Sequence, residues 1–190
     1  FERAKRSSHI NYSFFFGATN TNSDTIKQLD KHLVPAVKLF MGASTGNMLV
    51  DRRNALESIF ATAAAEGLPV MTHCEDSGII NENMKAAKAR YGDDPDISHH
   101  YEIRSEKACC ESSRLAVELA LKHKTRLHIA HLSTARELDL LQQPHVRDFV
   151  TMEAVIAHLY FTNEDEGATS SDLLVEVCEI FQRGKLVAQY

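Results

Sequence analysis

No stretch of this chain approaches the roughly 18 consecutive apolar residues that a membrane helix needs. The opening run Phe1-Glu2-Arg3-Ala4-Lys5-Arg6 has no signal-peptide apolar core behind it. No membrane association is expected, and a cytoplasmic location is the default. The four cysteines, Cys74, Cys109, Cys110 and Cys178, form no C-x-x-C pair. Neither a zinc ribbon nor a disulfide framework is indicated, and reduced, mostly buried thiols are expected. Basic residues are scattered, acidic residues do not gather into a tail, and the formal net charge is −5, which argues against a nucleic-acid surface. A glycine-rich dinucleotide turn is also missing, because Phe16-Gly17-Ala18-Thr19 is not G-x-G-x-x-G.

What is present is ordinary globular material. The 190 residues are 44% hydrophobic and 25% charged, enough for one core. The ten histidines are numerous for this length, and His32, His123 and His145 are expected to be surface or structural.

Strand and helix signals alternate. Ile10 to Phe16 reads as a strand ending at Gly17, and Thr25 to Leu33 as a short helix. Val34 to Phe40 is a second strand, followed by the flexible loop Gly42-Ala43-Ser44-Thr45-Gly46-Asn47. Leu56, Ile59, Phe60 and Ala63 recur at helical spacing from Arg52 to Glu66, and Gly67 and Pro69 stop that helix. Leu68 to Thr72 is a third strand, Ile79 to Tyr91 a helix, and Ser105 to His123 a long amphipathic helix with Ala108, Leu115, Leu119 and Ala120 inward. Arg126 to Ala130, Thr134 to Gln142 and Phe149 to Met152 read as strand, helix and strand.

The alternation implies parallel βαβ units with right-handed crossovers. Both an open doubly wound sheet and a (β/α)8 TIM barrel fit it. Functional residues at the ends of several strands, with no dinucleotide turn, favour the barrel. A complete barrel typically needs about 250 residues, so the expected fold is an α/β, partial (β/α)8 barrel over residues 1–190.

Three apolar runs end on side chains that can bind metal: Lys38 in Val37-Lys38-Leu39-Phe40, His73 in Met71-Thr72-His73-Cys74, and His131 in His128-Ile129-Ala130-His131. Neutral imidazoles on neighbouring strands can share one Zn²⁺. Lysine has no acceptor as an ammonium. It becomes a ligand when its neutral amine reacts with CO₂ to give a carbamate, a carboxylate on a long stem that can bridge two cations. A lone lysine in such a place is usually solvated, and a lone histidine usually makes structural hydrogen bonds. Spacing alone leaves the metal and structural readings balanced.

The surrounding residues tip that balance. Lys38-Leu39-Phe40-Met41-Gly42-Ala43-Ser44-Thr45-Gly46-Asn47-Met48-Leu49, Thr72-His73-Cys74-Glu75-Asp76 and His131-Leu132-Ser133-Thr134-Ala135 resemble the dihydroorotases of the cyclic amidohydrolase group, a branch of the metallo-dependent hydrolases. The likeness runs from about Asn11 to about Asp165. Thr151 to Phe161 resembles the group's T-x-E-x-x-x-H-H-L-x-F strand, with Ala157 where many members have the first histidine.

The resemblance implies a binuclear zinc centre bridged by Lys38 as N6-carboxylysine, with His73 and His131 on the second, more exposed zinc. His128, three residues before His131, is expected to point to the opposite face and to pack. The implied chemistry is reversible closure of N-carbamoyl-L-aspartate to dihydroorotate in pyrimidine synthesis, with zinc lowering the pKa of water to about 7. The partners would be those small molecules and a homo-oligomer.

The group also carries an H-x-H pair with a substrate-binding arginine on its first strand, and a catalytic aspartate on its last. No H-x-H precedes Lys38. Asp165 is followed by Glu166-Gly167-Ala168 and a helical stretch, Leu173 to Gln182, rather than a D-H-A-P segment. No catalytic acid or substrate-binding residue is therefore assigned, and impaired activity of these residues alone is expected. Hydantoinase or allantoinase chemistry, or a non-catalytic scaffold role, are the alternatives.

Overall fold

The computed structural model describes residues 1–42 and 47–160. Most of the loop at Gly42–Asn47, the Asp165 region, the stretch at 173–182 and Cys178 lie outside those residues.

Five parallel strands form one sheet: β1 (Phe16–Gly17), β2 (Val37–Phe40), β3 (Val70–His73), β4 (Leu127–Ile129) and β5 (Val150–Met152). Their spatial order is their sequence order. A doubly wound sheet would reverse direction at a switch point, whereas strands added in one direction with right-handed crossovers make the arc of a barrel. The barrel expectation holds.

Six α-helices accompany the strands among the described residues: α1 (Glu2–Ser7), α2 (Arg53–Ala65), α3 (Ser77–Tyr91), α4 (His100–Ile103), α5 (Glu106–His123) and α6 (Ile156–Tyr160). On α2, Ala55, Leu56, Ile59, Phe60 and Ala63 are buried at the predicted three- and four-residue spacing. Gly67 then takes a left-handed φ of 67°, which ends the helix without a Cβ penalty. Helix α5 buries Ala108, Ala116, Val117, Leu119 and Ala120 and packs against α2. Leu115 lies at the core's edge and is only partly buried. Phe60 is fully buried between these layers, a burial contributing roughly 1.5–3 kcal/mol.

The two faces of the sheet differ in a way that sets up the site. Val37, Leu39, Val70, Thr72, Leu127, Ile129 and Val150 are buried, and they alternate with the partly open Lys38, Phe40, Met71, His73 and His128. The register aligns Lys38 with Met71, Met71 with His128, and Phe40 with His73. The open face is therefore the concave side of the barrel arc. Among the described residues, no helix is long and apolar enough to cross a membrane.

Several sequence expectations are corrected. Ile10 to Phe15 is not strand; β1 contains Phe16 and Gly17 alone. The aromatics pack locally instead, with Phe1 and Phe14 edge-to-face at 5.1 Å. Strong β propensity without a pairing partner does not make a strand. The stretches 25–33 and 134–142 contain 3-10 turns, at Ser23–Gln28 and Ala135–Gln142, rather than α-helices. Beyond Met152 the chain leaves the sheet, and Ile156–Tyr160 is helical.

Candidate metal centre

The strand ends are tied together by rim hydrogen bonds. Met41 N–H donates to the carbonyl of His73, Ala130 N–H to that of Thr72, and Leu132 N–H to that of Glu153. His73, the last residue of β3, and His131, two residues past β4, are thereby brought side by side. His73 Nδ1 and His131 Nε2 stand 3.3 Å apart, with ring centroids 5.0 Å apart.

That separation can be compared with metal geometry. Zn–N bonds of about 2.0–2.1 Å in a tetrahedron put neighbouring nitrogens about 3.3 Å apart. The donor atoms therefore suit a shared ion as they stand. His131 has φ of 42°, a left-handed conformation uncommon outside glycine. This twist, together with the end of β4 at Ile129, re-aims its side chain toward His73. Period-two counting from His128 consequently fails. His128 lies on the same concave face as Lys38, where its Nδ1 meets Thr151 Oγ1 at 2.8 Å and its Nε2 faces Glu153 at 3.3 Å.

Lys38 is the second residue of the four in β2, not the last. Its rung is two below that of His73, about 6.6 Å at strand spacing, a gap its long stem can cover. Its Nζ lies 5.1 Å above the Phe40 ring, and that ring lies 6.0 Å from the His73 ring. Burial pushes the lysine pKa below its usual range, against opposing attraction from Cys74 and Glu153. His131 is also lowered, chiefly by burial and then by the nearby His73, Lys38 and His158. Both shifts favour the neutral forms that a carbamate and a metal ligand require.

Two contributors went unassigned in the sequence: Glu75 belongs only to the Thr72–Asp76 motif, and Arg104 to none. Glu75, buried at 6% exposure, accepts from His73 Nε2 at 2.7 Å. Arg104 donates from Nε to Glu75 Oε1 at 2.7 Å and from Nη2 to Oε2. Burial alone would raise the Glu75 pKa, but the hydrogen bonds from His73 and Arg104 bring it down to about 2. A carboxylate behind a ligating imidazole is the usual way of orienting such a ring. His158 joins the rim too, its Nδ1–H donating to the Leu132 carbonyl at 3.1 Å, with its ring 6.4 Å from His131.

A groove of ≈ 1140 Å³ opens beside His73 and His131, walled by Glu75, Arg104, Tyr101 and His158. Cys74 and Cys109 also line it, but burial drives their thiols to about 11 and about 12, which removes them as nucleophiles. Among the described residues, no three His, Cys, Asp or Glu side chains converge as a complete metal cage. The two imidazoles and Lys38 fit one part of a zinc centre.

The fold is part of a (β/α)8 barrel, with a histidine pair on its rim. An L-hydantoinase from Arthrobacter aurescens superposes with a TM-score of 0.76 at 21% identity, over 96% of this chain and 44% of that one. A dihydropyrimidinase from Brevibacillus agri gives 0.70 at 21% identity, over 82% and 34%. No family model matches the chain. A dihydroorotase from Methanosphaera stadtmanae is 26% identical over 162 residues, 84% of this chain and 35% of the relative. An allantoinase from Desulfitobacterium hafniense is 28% identical over 170 residues, 85% and 36%. Over most of its length the chain is similar to cyclic amidohydrolases, the class that these relatives share. It spans about a third of the length of these curated relatives.

Proposed function

We propose that the whole protein is a dihydroorotase, acting on the amide bond of a small ring at a binuclear zinc centre. The observation that carries the reading is the 3.3 Å approach of His73 Nδ1 to His131 Nε2, at the rim of the concave face that also holds Lys38. His73 and His131 would hold one zinc, and Lys38, carbamylated, would bridge to the other. When bound, zinc supplies Lewis-acid polarisation of the ring carbonyl and an acidified water.

The described residues contribute placement. Glu75 keeps the His73 ring turned toward His131, and the left-handed turn at His131 completes the pair. Phe40 lies between Lys38 and His73, its ring 5.1 Å from the Lys38 Nζ and 6.0 Å from the His73 ring. The groove leaves room for a ring substrate beside the histidines. The remaining ligands and the proton-shuttling acid of this chemistry would have to come from outside residues 1–160.

Under this reading the small-molecule partners are N-carbamoyl-L-aspartate and dihydroorotate, and a cytoplasmic setting and a homo-oligomer are expected. A hydantoinase or allantoinase activity is the second reading, favoured by the allantoinase relative at 28% identity. Assaying the full-length protein with dihydroorotate, allantoin and a substituted hydantoin, alongside elemental zinc analysis, separates the two. Turnover of dihydroorotate alone supports the first reading. Turnover of another ring replaces it, and absence of all three activities with zinc bound points to a scaffold.

A further inference from the structure

The long crossover between β3 and β4 does more than join two strands. It carries α3, α4 and α5, and at the α4–α5 junction it returns to the rim. There Arg104 is fixed by its own backbone, with its N–H donating to His100 at 2.8 Å, just ahead of the start of α5. Its side chain reaches Glu75, two residues past the end of β3, across 29 positions of sequence.

The contact is a fork. Nε meets Oε1 and Nη2 meets Oε2, so both carboxylate oxygens are held and the plane of the group is set. Oε2 is also the atom that faces His73 Nε2 at 2.7 Å. A carboxylate is acceptor-only, so the proton between them sits on His73 Nε2. In the neutral ring the other nitrogen, Nδ1, then carries no proton, and it faces His131. With both oxygens held by the guanidinium, the Glu75 carboxylate presents Oε2 to His73 in one orientation.

We propose that Arg104 is a positioning residue that sets the tautomer and direction of His73 through its two-point grip on Glu75. The inference rests on the reading of His73 and His131 as zinc ligands, but the tautomer is measurable without metal. Long-range ¹H–¹⁵N correlation spectra of the metal-free, full-length protein are expected to show His73 as a single Nε2–H tautomer. In Arg104→Gln the same signals should become a mixture of tautomers, while the cooperative melt is retained. Zinc affinity, read by competition with a chromophoric chelator, should fall about 10- to 100-fold. Arg104→Lys restores the charge without the fork and should remain well below wild type.

Wild-type His73 carrying its proton on Nδ1 would overturn the proposal, as would an unchanged tautomer and zinc affinity in Arg104→Gln. Full recovery in Arg104→Lys would overturn the fork as the cause. If Arg104→Gln does not fold, the wild-type spectrum and Arg104→Lys still decide. Loss of the single tautomer in a protein that binds no zinc even as wild type would reject the metal reading and leave the positioning role standing.

Discussion

Gly42 lies so close to Glu75 that a Cβ built on it would stand 1.9 Å from the Glu75 carbonyl oxygen and 2.9 Å from its Cβ. Two strand ends are pressed together here by a residue with no side chain. The carboxylate that backs His73 is seated against the turn that follows β2, so the rim depends on a glycine that supplies no chemistry.

Gly42→Ala should therefore disturb the rim more than its size suggests. The obstacle is backbone, which cannot step aside as a flexible side chain would. Overpacking of this kind typically costs about 1–3 kcal/mol. Thermal melts should show a lower Tm, and zinc content should fall with it. An unchanged melt would mean that the two turns do not touch in solution.

Substituting either imidazole tests the shared ion. His73→Ala and His131→Ala in the full-length protein should each lose the zinc they would share, giving a metal stoichiometry reduced by about one. Unchanged stoichiometry in both variants would reject the assignment.

Lysine 38 has its own signature. Lys38→Ala should abolish activity, and a short carboxylic acid added to the medium should restore part of it by standing in for the carbamate. Mass spectrometry of the intact wild-type protein should find the carbamate itself. Full activity of Lys38→Ala without additive would remove the bridge from the mechanism.

A stability test lies away from the site. Glu57 on α2 accepts from Lys122 Nζ at 2.8 Å and from His123 Nε2 at 2.5 Å, both at the end of α5. Hydrogen bonds from Lys122 and then His123 hold its carboxyl down at about 2, against an ordinary value of 4.5. A depressed carboxylate stabilises the fold above its unfolded pKa, and the contribution disappears as pH falls through the folded one. Glu57→Gln should lower Tm modestly at neutral pH and flatten the Tm-against-pH curve between about 4.5 and about 2. Identical acid limbs for the two proteins would show that the α2–α5 tie contributes nothing.

Much of the architecture could be read from the chain because it rests on local rules. The spacing of Leu56, Ile59, Phe60 and Ala63 fixed the buried stripe of α2, and continuous apolarity marked β3 to within a few residues. The aromatic run before Phe16 misled, since a strand exists only where a neighbour accepts its hydrogen bonds, and Phe16 and Ala18 are where that ladder runs, to Ala36 and Lys38. His128 misled for a related reason: counting alternate faces holds inside a strand and stops where the strand stops.

Sequence by itself determined the order of strands and helices, the residue types at three strand ends and the family likeness they carry, because periodicity and short motifs are properties of neighbours along a chain. The meeting of His73 with His131, the fork of Arg104 on Glu75 and the shared concave face of Lys38 and His128 were decided only by folding. Each joins segments on different strands or crossovers, and no local spacing encodes the distance or angle at which two such segments close.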